Sequence, residues 1–230
     1  MRPVFANTLL LALVAALSIG PLMAQDLETD KGKLSYAVGW DIGEDIKQRG
    51  AEFDVESLIT AIRDSAASAE PQVSPEEMVS LLTAMQQKVR QEQQEAFIAL
   101  AEENQAAAEA FLAENVTKTG IVELPSGVQY RIIEEGEGAR PGMESTVKVH
   151  YRGSKLTGLE FDSSFARGVP EEFAVNTVLR GWQEVLPLMK TGSTWQIFVP
   201  PELAFGARGN PPVGPNEALT FDLKLIEIVE

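Results

Sequence analysis

The chain of 230 residues contains no cysteine and a single histidine, His150. Disulfides, thiol nucleophiles and the Cys/His sets that hold structural zinc are thereby excluded. Positive charge is scarce as well: 19 Lys and Arg face 34 Asp and Glu, a formal net charge of -15 at pH 7. A surface that neutralises nucleic-acid phosphates needs the opposite balance, so that function class is excluded too. Beyond the first two dozen residues no apolar run approaches the roughly 20 residues that span a bilayer as a helix. What remains is globular in kind, with 44% hydrophobic and 23% charged residues, enough to bury a real core.

Residues 1–24 read as a secretory signal peptide. Arg2 supplies the positive start, Leu9 to Ile19 form an apolar run too short to span a membrane, and Leu22-Met23-Ala24 ends in a small residue suited to cleavage. The mature chain is expected to begin at Gln25, with no transmembrane anchor and no cysteine to carry an acyl one. Export to the periplasm follows, with association to the outer membrane or cell surface left open.

Composition divides the mature chain. Residues 25–120 carry 8 basic and 19 acidic residues and are rich in Ala, Gln and Glu, as helices are. Residues 121–230 are punctuated by Gly and Pro and rich in Val, Ile and Phe, as strands and turns are. In the first half Leu34, Val38, Ile42 and Ile46 recur every four residues, one face of a helix ending near Gly50. Asp54 is a good N-cap for a second helix carrying Leu58, Ile59 and Ile62. Ser74-Pro75-Glu76-Glu77 is a capping box with Pro at the first helical position. No breaker follows before Gly120, so a helix over Pro75–Asn115 is predicted, roughly 60 Å long at 1.5 Å per residue. Its early turns carry Met78, Leu81, Leu82, Met85 and Val89; its later half is polar and reads as a solvated strut. So long an apolar stripe calls for a second chain, and Gly39 and Gly43 would allow close backbone approach. The expected organisation is a helical dimerisation domain over 25–74, a connecting helix over 75–118 and an α+β domain over 119–230.

Alternation in the second half is clear. Val147, Val149 and Tyr151 point one way while Lys148 and His150 point the other; Trp195, Ile197 and Val199, then Leu219, Phe221, Leu223 and Leu225, repeat the pattern. These are one-sided antiparallel strands. Residues 176–189 space Val178, Leu179, Trp182, Val185, Leu186 and Met189 as a single short helix laid on the apolar face.

Five separated motifs then carry a resemblance: Val149-His150-Tyr151-Arg152-Gly153, Phe161-Asp162-Ser163-Ser164, Val178-Leu179-Arg180-Gly181-Trp182, Ala204-Phe205-Gly206 and Gly214-Pro215-Asn216-Glu217-Ala218-Leu219-Thr220-Phe221. Their order resembles that of FKBP-type peptidyl-prolyl cis-trans isomerases over residues 122–230. With the leader, the acidic helical segment and the long helix, the whole resembles the macrophage infectivity potentiator (Mip) group. The resemblance implies an antiparallel twisted sheet wrapped on one short helix, a homodimer joined through the N-terminal helices, and isomerisation of X-Pro bonds in exported proteins. It also implies the site: Tyr151, Asp162, Trp182 and Phe221 as catalytic residues, and Phe161, Val178, Leu179, Phe205 and Val213 as substrate-binding ones. Macrolide inhibitors are implied ligands. Rotation about an amide makes and breaks no bond, so no cofactor and no metal is expected.

Two positions depart from the family pattern: Phe205 stands where many members have a tyrosine, and Glu171 where many have an aromatic after the loop proline. Two other readings compete. A hydrolase using Ser163 or Ser164 with His150 is disfavoured because alternation turns His150 away from the face of Tyr151. A non-catalytic periplasmic chaperone is the alternative that an activity assay separates.

Overall fold

A computed structural model describes residues 27–48 and 53–229. The signal peptide, its cleavage site before Gln25 and the helix end at Gly50 lie outside the described residues. Helices α1 (Asp30–Gln48), α2 (Val55–Ala66) and α3 (Pro75–Asn115) come first. The capping residues act as their chemistry dictates: an Asp54 carboxylate oxygen accepts the Ser57 N–H at 2.9 Å, and Ser74 Oγ accepts the Glu77 N–H at 3.2 Å. With Pro75 opening it and no internal Gly or Pro after that, α3 runs unbroken for 41 residues.

The chain falls into two compact units that divide inside α3, between Val79 and Ser80. In the first, the predicted stripe of α1 is open: Leu34, Val38 and Ile42 are all about half exposed or more, as are Tyr36 and Trp40 on the other side of the helix. Among the described residues of α2 none is buried. Among the described residues these helices have apolar side chains without a core to receive them.

The second unit holds a seven-stranded antiparallel sheet. Its strands are β1 (Ile121–Glu123), β2 (Gln129–Glu134), β3 (Thr146–Lys155), β4 (Glu160–Ser163), β5 (Glu171–Ala174), β6 (Thr194–Val199) and β7 (Leu219–Ile228). The order is β1-β2-β6-β7-β3-β4, with β5 also on β3. A short helix α4 (Ser164–Arg167) follows β4, and α5 (Arg180–Val185) precedes β6. Alternation holds along β3 and β7, where Val147, Val149, Tyr151, Leu219, Phe221, Leu223 and Leu225 are buried. They pack with Trp182, Val185, Leu186 and Met189 in one core.

Two expectations are corrected. The helix predicted over 176–189 is only six residues of α-helix, flanked by 3-10 turns at Val175–Thr177 and Leu186–Leu188. Val178 and Leu179 stay extended, and Pro187 sits in the second turn, where an α-helical N–H would be missing. The later half of α3 is likewise no solvated strut. Ala108 and Asn115 are buried, and Phe111 packs its ring 5.7 Å from Phe198, on the β6 face opposite Ile197. Asn115 Nδ2 donates to Gln129 Oε1 at 2.9 Å, and Gln129 Nε2 donates to the Leu112 carbonyl at 2.9 Å. A polar stretch can dock when the polar groups it buries are paired, and here they are.

Candidate functional site

Successive strand residues point to opposite faces, so Tyr151 on β3 and Phe221 on β7 both face the core, and α5 sets Trp182 between them. Trp182 is boxed by rings: Tyr151 at 5.3 Å, Phe221 at 5.2 Å and Phe173 at 6.2 Å, each near perpendicular. Phe161 stands edge-on to Phe221 at 5.9 Å and to Phe205 at 6.4 Å. Gly153 makes this closure feasible, because a Cβ there would lie 2.6 Å from Phe161 and 2.8 Å from Phe221. Tyr151, Trp182, Val213 and Phe221 are buried; Phe161, Val178, Leu179 and Phe205 are half-buried against them. The structure therefore places the aromatic and aliphatic residues singled out from the sequence in one apolar cluster.

One edge of the cluster is polar. Tyr151 Oη donates to Asp162 Oδ2 at 2.6 Å, and Arg167 Nη2 donates to Tyr151 Oη at 2.8 Å. Arg167 also lies 2.5 Å from Asp162 Oδ1 and 2.5 Å from Glu171 Oε1, with its guanidinium 5.6 Å above the Tyr151 ring. Burial, and then the hydrogen bond to Asp162, push the Tyr151 hydroxyl up to about 12. Burial works to raise the Asp162 carboxyl, but the hydrogen bonds from Tyr151 and Arg167 and the latter's charge outweigh it, so Asp162 lies below its ordinary value. The hydrogen bond to Asp162 leads the causes that raise Arg167. All three groups thus keep their neutral-pH charge.

At α5, the Leu179 carbonyl caps the helix by accepting the Trp182 and Gln183 N–H groups, while the Leu179 N–H has no partner among the described residues. Gln183 Nε2 donates to the Val178 carbonyl at 2.8 Å and fixes this extended turn. On another side stands the loop over residues 209–215, which carries Val213. Gly209 enters it at φ 67, where any Cβ would also strike the Gly214 carbonyl at 2.5 Å. Gly214 N–H donates to Glu217 Oε2 at 2.7 Å, and Glu217 pairs with Lys155 at 3.0 Å. From α3, Asn104 Nδ2 donates to the Pro215 carbonyl at 2.7 Å, and Asn216 Nδ2 reaches back to the Ala101 carbonyl at 3.3 Å.

Arg167, Gln183 and Asn104 were missed in the sequence. Arg167 and Gln183 lie a turn from singled-out residues, a spacing that hints at contact, whereas nothing local marks Asn104. His150 behaves differently from expectation: its Nδ1 is 3.0 Å from Ser164 Oγ, so histidine and serine do meet. The pair is on the sheet's other face, with His150 stacked on Phe165 at 4.6 Å. Ser164 is fully buried and its Oγ accepts the Tyr151 N–H at 2.7 Å, which makes it a structural hydroxyl rather than a nucleophile.

Comparison with known proteins matches residues 31–132 to the domain amino terminal to FKBP-type peptidyl-prolyl isomerase, and residues 138–226 to FKBP-type peptidyl-prolyl cis-trans isomerase. The "Outer membrane protein MIP" of Legionella longbeachae is 39% identical over 229 residues, covering 99% of this chain and 98% of that protein. The "Peptidyl-prolyl cis-trans isomerase Mip" of Coxiella burnetii is 36% identical over 219 residues, 92% of this chain and 95% of the relative. Among solved structures, FkpA from Escherichia coli superposes with a TM-score of 0.70 at 30% identity, covering 87% of this chain and 97% of that one.

Proposed function

Since the chain belongs to the FKBP-type peptidyl-prolyl cis-trans isomerases and is itself such an isomerase and folding helper, we propose that it turns X-Pro bonds in the bowl around Trp182. The observation that carries this reading is the ring box on Trp182 with one charged, internally bonded edge. Rotation of an X-Pro amide meets a barrier near 18 to 20 kcal/mol because it breaks resonance. A catalyst needs only a surface that prefers the twisted amide to the planar one. The proline ring would rest on Trp182, walled by Tyr151, Phe161, Val178, Val213, Phe205 and Phe221. Removing water there disfavours the planar amide, whose dipole is larger. The Leu179 N–H would hold the substrate backbone, and Asp162 would face the carbonyl that turns, kept in place by Tyr151 and Arg167. Dipoles fixed beforehand cost no rearrangement during rotation.

Homodimerisation through α1 and α2 is part of the same reading. Its support is the open apolar stripe of Leu34, Val38 and Ile42 and, around the helix from it, exposed Tyr36 and Trp40 on the side of Gly39 and Gly43, where a second copy could approach closely. Export to the periplasm rests on the leader over residues 1–24 and on the name of the Legionella relative as an outer membrane protein. Among the described residues no helix is long and apolar enough to cross a membrane. Prolyl polypeptides would be the substrates and macrolides the inhibitors.

The test compares Trp182→Ala with Trp195→Ala in a protease-coupled prolyl peptide assay, counting folded protein only. Both rings are buried, so each truncation costs about 3 to 5 kcal/mol of stability, but only Trp182→Ala should lose most of kcat/KM. Wild-type activity in folded Trp182→Ala would remove the floor assignment. Light scattering that returns a monomer mass would remove the dimer.

A further inference from the structure

Adjacent glutamates on β5 point to opposite faces. Glu172 turns outward to Lys148 at 3.2 Å, whereas Glu171 shares the bowl side with Phe173. Glu171 therefore brings a second carboxylate to the edge where Asp162 already stands, and both compete for one guanidinium, that of Arg167. The single Tyr151 proton goes to Asp162, and Glu171 Oε2 lies 3.5 Å from that hydroxyl, too far for more than a weak contact. Two carboxylates against one cation leave the edge with a net charge of about -1 at neutral pH. The cations of β3 do not offset it: Lys148 is bonded to Glu172 and Glu227, and Arg152 to Asp222. The side chains of Asp162, Arg167 and Glu171 are 41%, 42% and 34% exposed, so an incoming polypeptide can reach them.

We propose that Glu171 is a specificity-determining residue, whose carboxylate gives the mouth of the bowl a negative edge favouring X-Pro segments with Lys or Arg next to the proline. The inference rests on the bowl being the substrate site. Aliphatic segments would still bind through the rings; the carboxylate adds discrimination by charge, rewarding a basic neighbour and repelling an acidic one.

The test uses the full chain and prolyl peptides carrying Lys, norleucine or Glu beside the proline, with cis-trans exchange followed by NMR so that no coupling protease intervenes. At low ionic strength the wild type should order them Lys, norleucine, Glu in kcat/KM. Glu171→Gln keeps the size and an acceptor for Arg167 while removing the charge, and should shrink the Lys-to-Glu ratio by about two- to fivefold, the range for a partly exposed charge pair. Raising salt should compress the wild-type ratio toward that of the variant. A ratio equal in both proteins overturns the proposal, whatever happens to overall turnover, since it means that Arg167 cancels the charge or that the side chain is out of reach. Trp182→Leu, measured on the norleucine peptide, reports on the bowl separately: full activity in that folded variant would sink the bowl reading, while its loss with an unchanged ratio in Glu171→Gln would sink only the charge inference.

Discussion

Cutting the bond between α3 and the loop over residues 209–215 is the perturbation most directly set by the tertiary structure. Asn104 Nδ2 donates to the Pro215 carbonyl at 2.7 Å, 111 residues away in sequence, and the same loop carries Val213, buried in the core cluster that holds Trp182. Asn104→Ala deletes the donor. A neutral hydrogen bond nets about 0.5 to 1.5 kcal/mol, so stability should fall by that amount. In a unit of this size about 1 kcal/mol lowers Tm by roughly 2 to 4 °C. The second strap, from Asn216 to the Ala101 carbonyl, is long at 3.3 Å and should compensate little. With its outer tether gone, the loop must be ordered by the substrate itself, so that energy appears in binding. KM for a short prolyl peptide should rise about twofold to tenfold. The turnover number should change less, because Trp182, Tyr151 and Asp162 are held by other contacts. Asn104→Asp should be worse than Asn104→Ala, since a carboxylate would confront the Pro215 carbonyl. Steady-state kinetics and thermal melts on the three proteins decide the matter. A lower Tm with unchanged KM would refute the link from helix to bowl, and a fall in kcat at constant KM would show that the loop acts on the rotating amide itself.

Phe205→Tyr supplies a hydroxyl at the rim; inhibitor titration should show macrolides binding about twofold to tenfold tighter, with peptide turnover little changed, and unchanged affinity would mean that residue 205 does not face the ligand. The Asp162 carboxyl is held below its ordinary value, so its contribution to stability is present above the unfolded value near 4 and is lost as pH falls through the lower folded value. Denaturation followed from pH 6 down to pH 2 should show this loss in the wild type and its absence in Asp162→Asn. A fragment of residues 80–230 retains both α3 contacts with the loop and should keep turnover of short peptides. It should assist refolding of a proline-limited protein less well, because a second linked binding surface is gone; equal loss on both substrates would place part of the site in the first unit.

Much of this protein is legible locally. Asp54, Ser74 and Pro75 mark helix starts because capping is decided by the residue and its next three neighbours. The 41-residue α3 follows from Pro75 opening it and the absence of Gly and Pro after that. Alternation in β3, β6 and β7 identifies the buried face because side chains repeat every second residue. The residues that the motifs single out, each in a short stretch of fixed order, do fall in or against one apolar cluster. What periodicity could not decide is which stretches meet. The polar half of α3 reads as solvated until Gln129 and Pro215 are seen to accept and pair its Asn115 and Asn104. Residues 176–189 read as one helix until the turn at Val178 and Leu179, pinned by Gln183, breaks it. The sharing of Arg167 between Asp162 and Glu171 depends on β4, α4 and β5 folding back together along β3. A hydrogen bond or ion pair is a property of two atoms in space, and a pattern of single residues along a chain carries no distance between them.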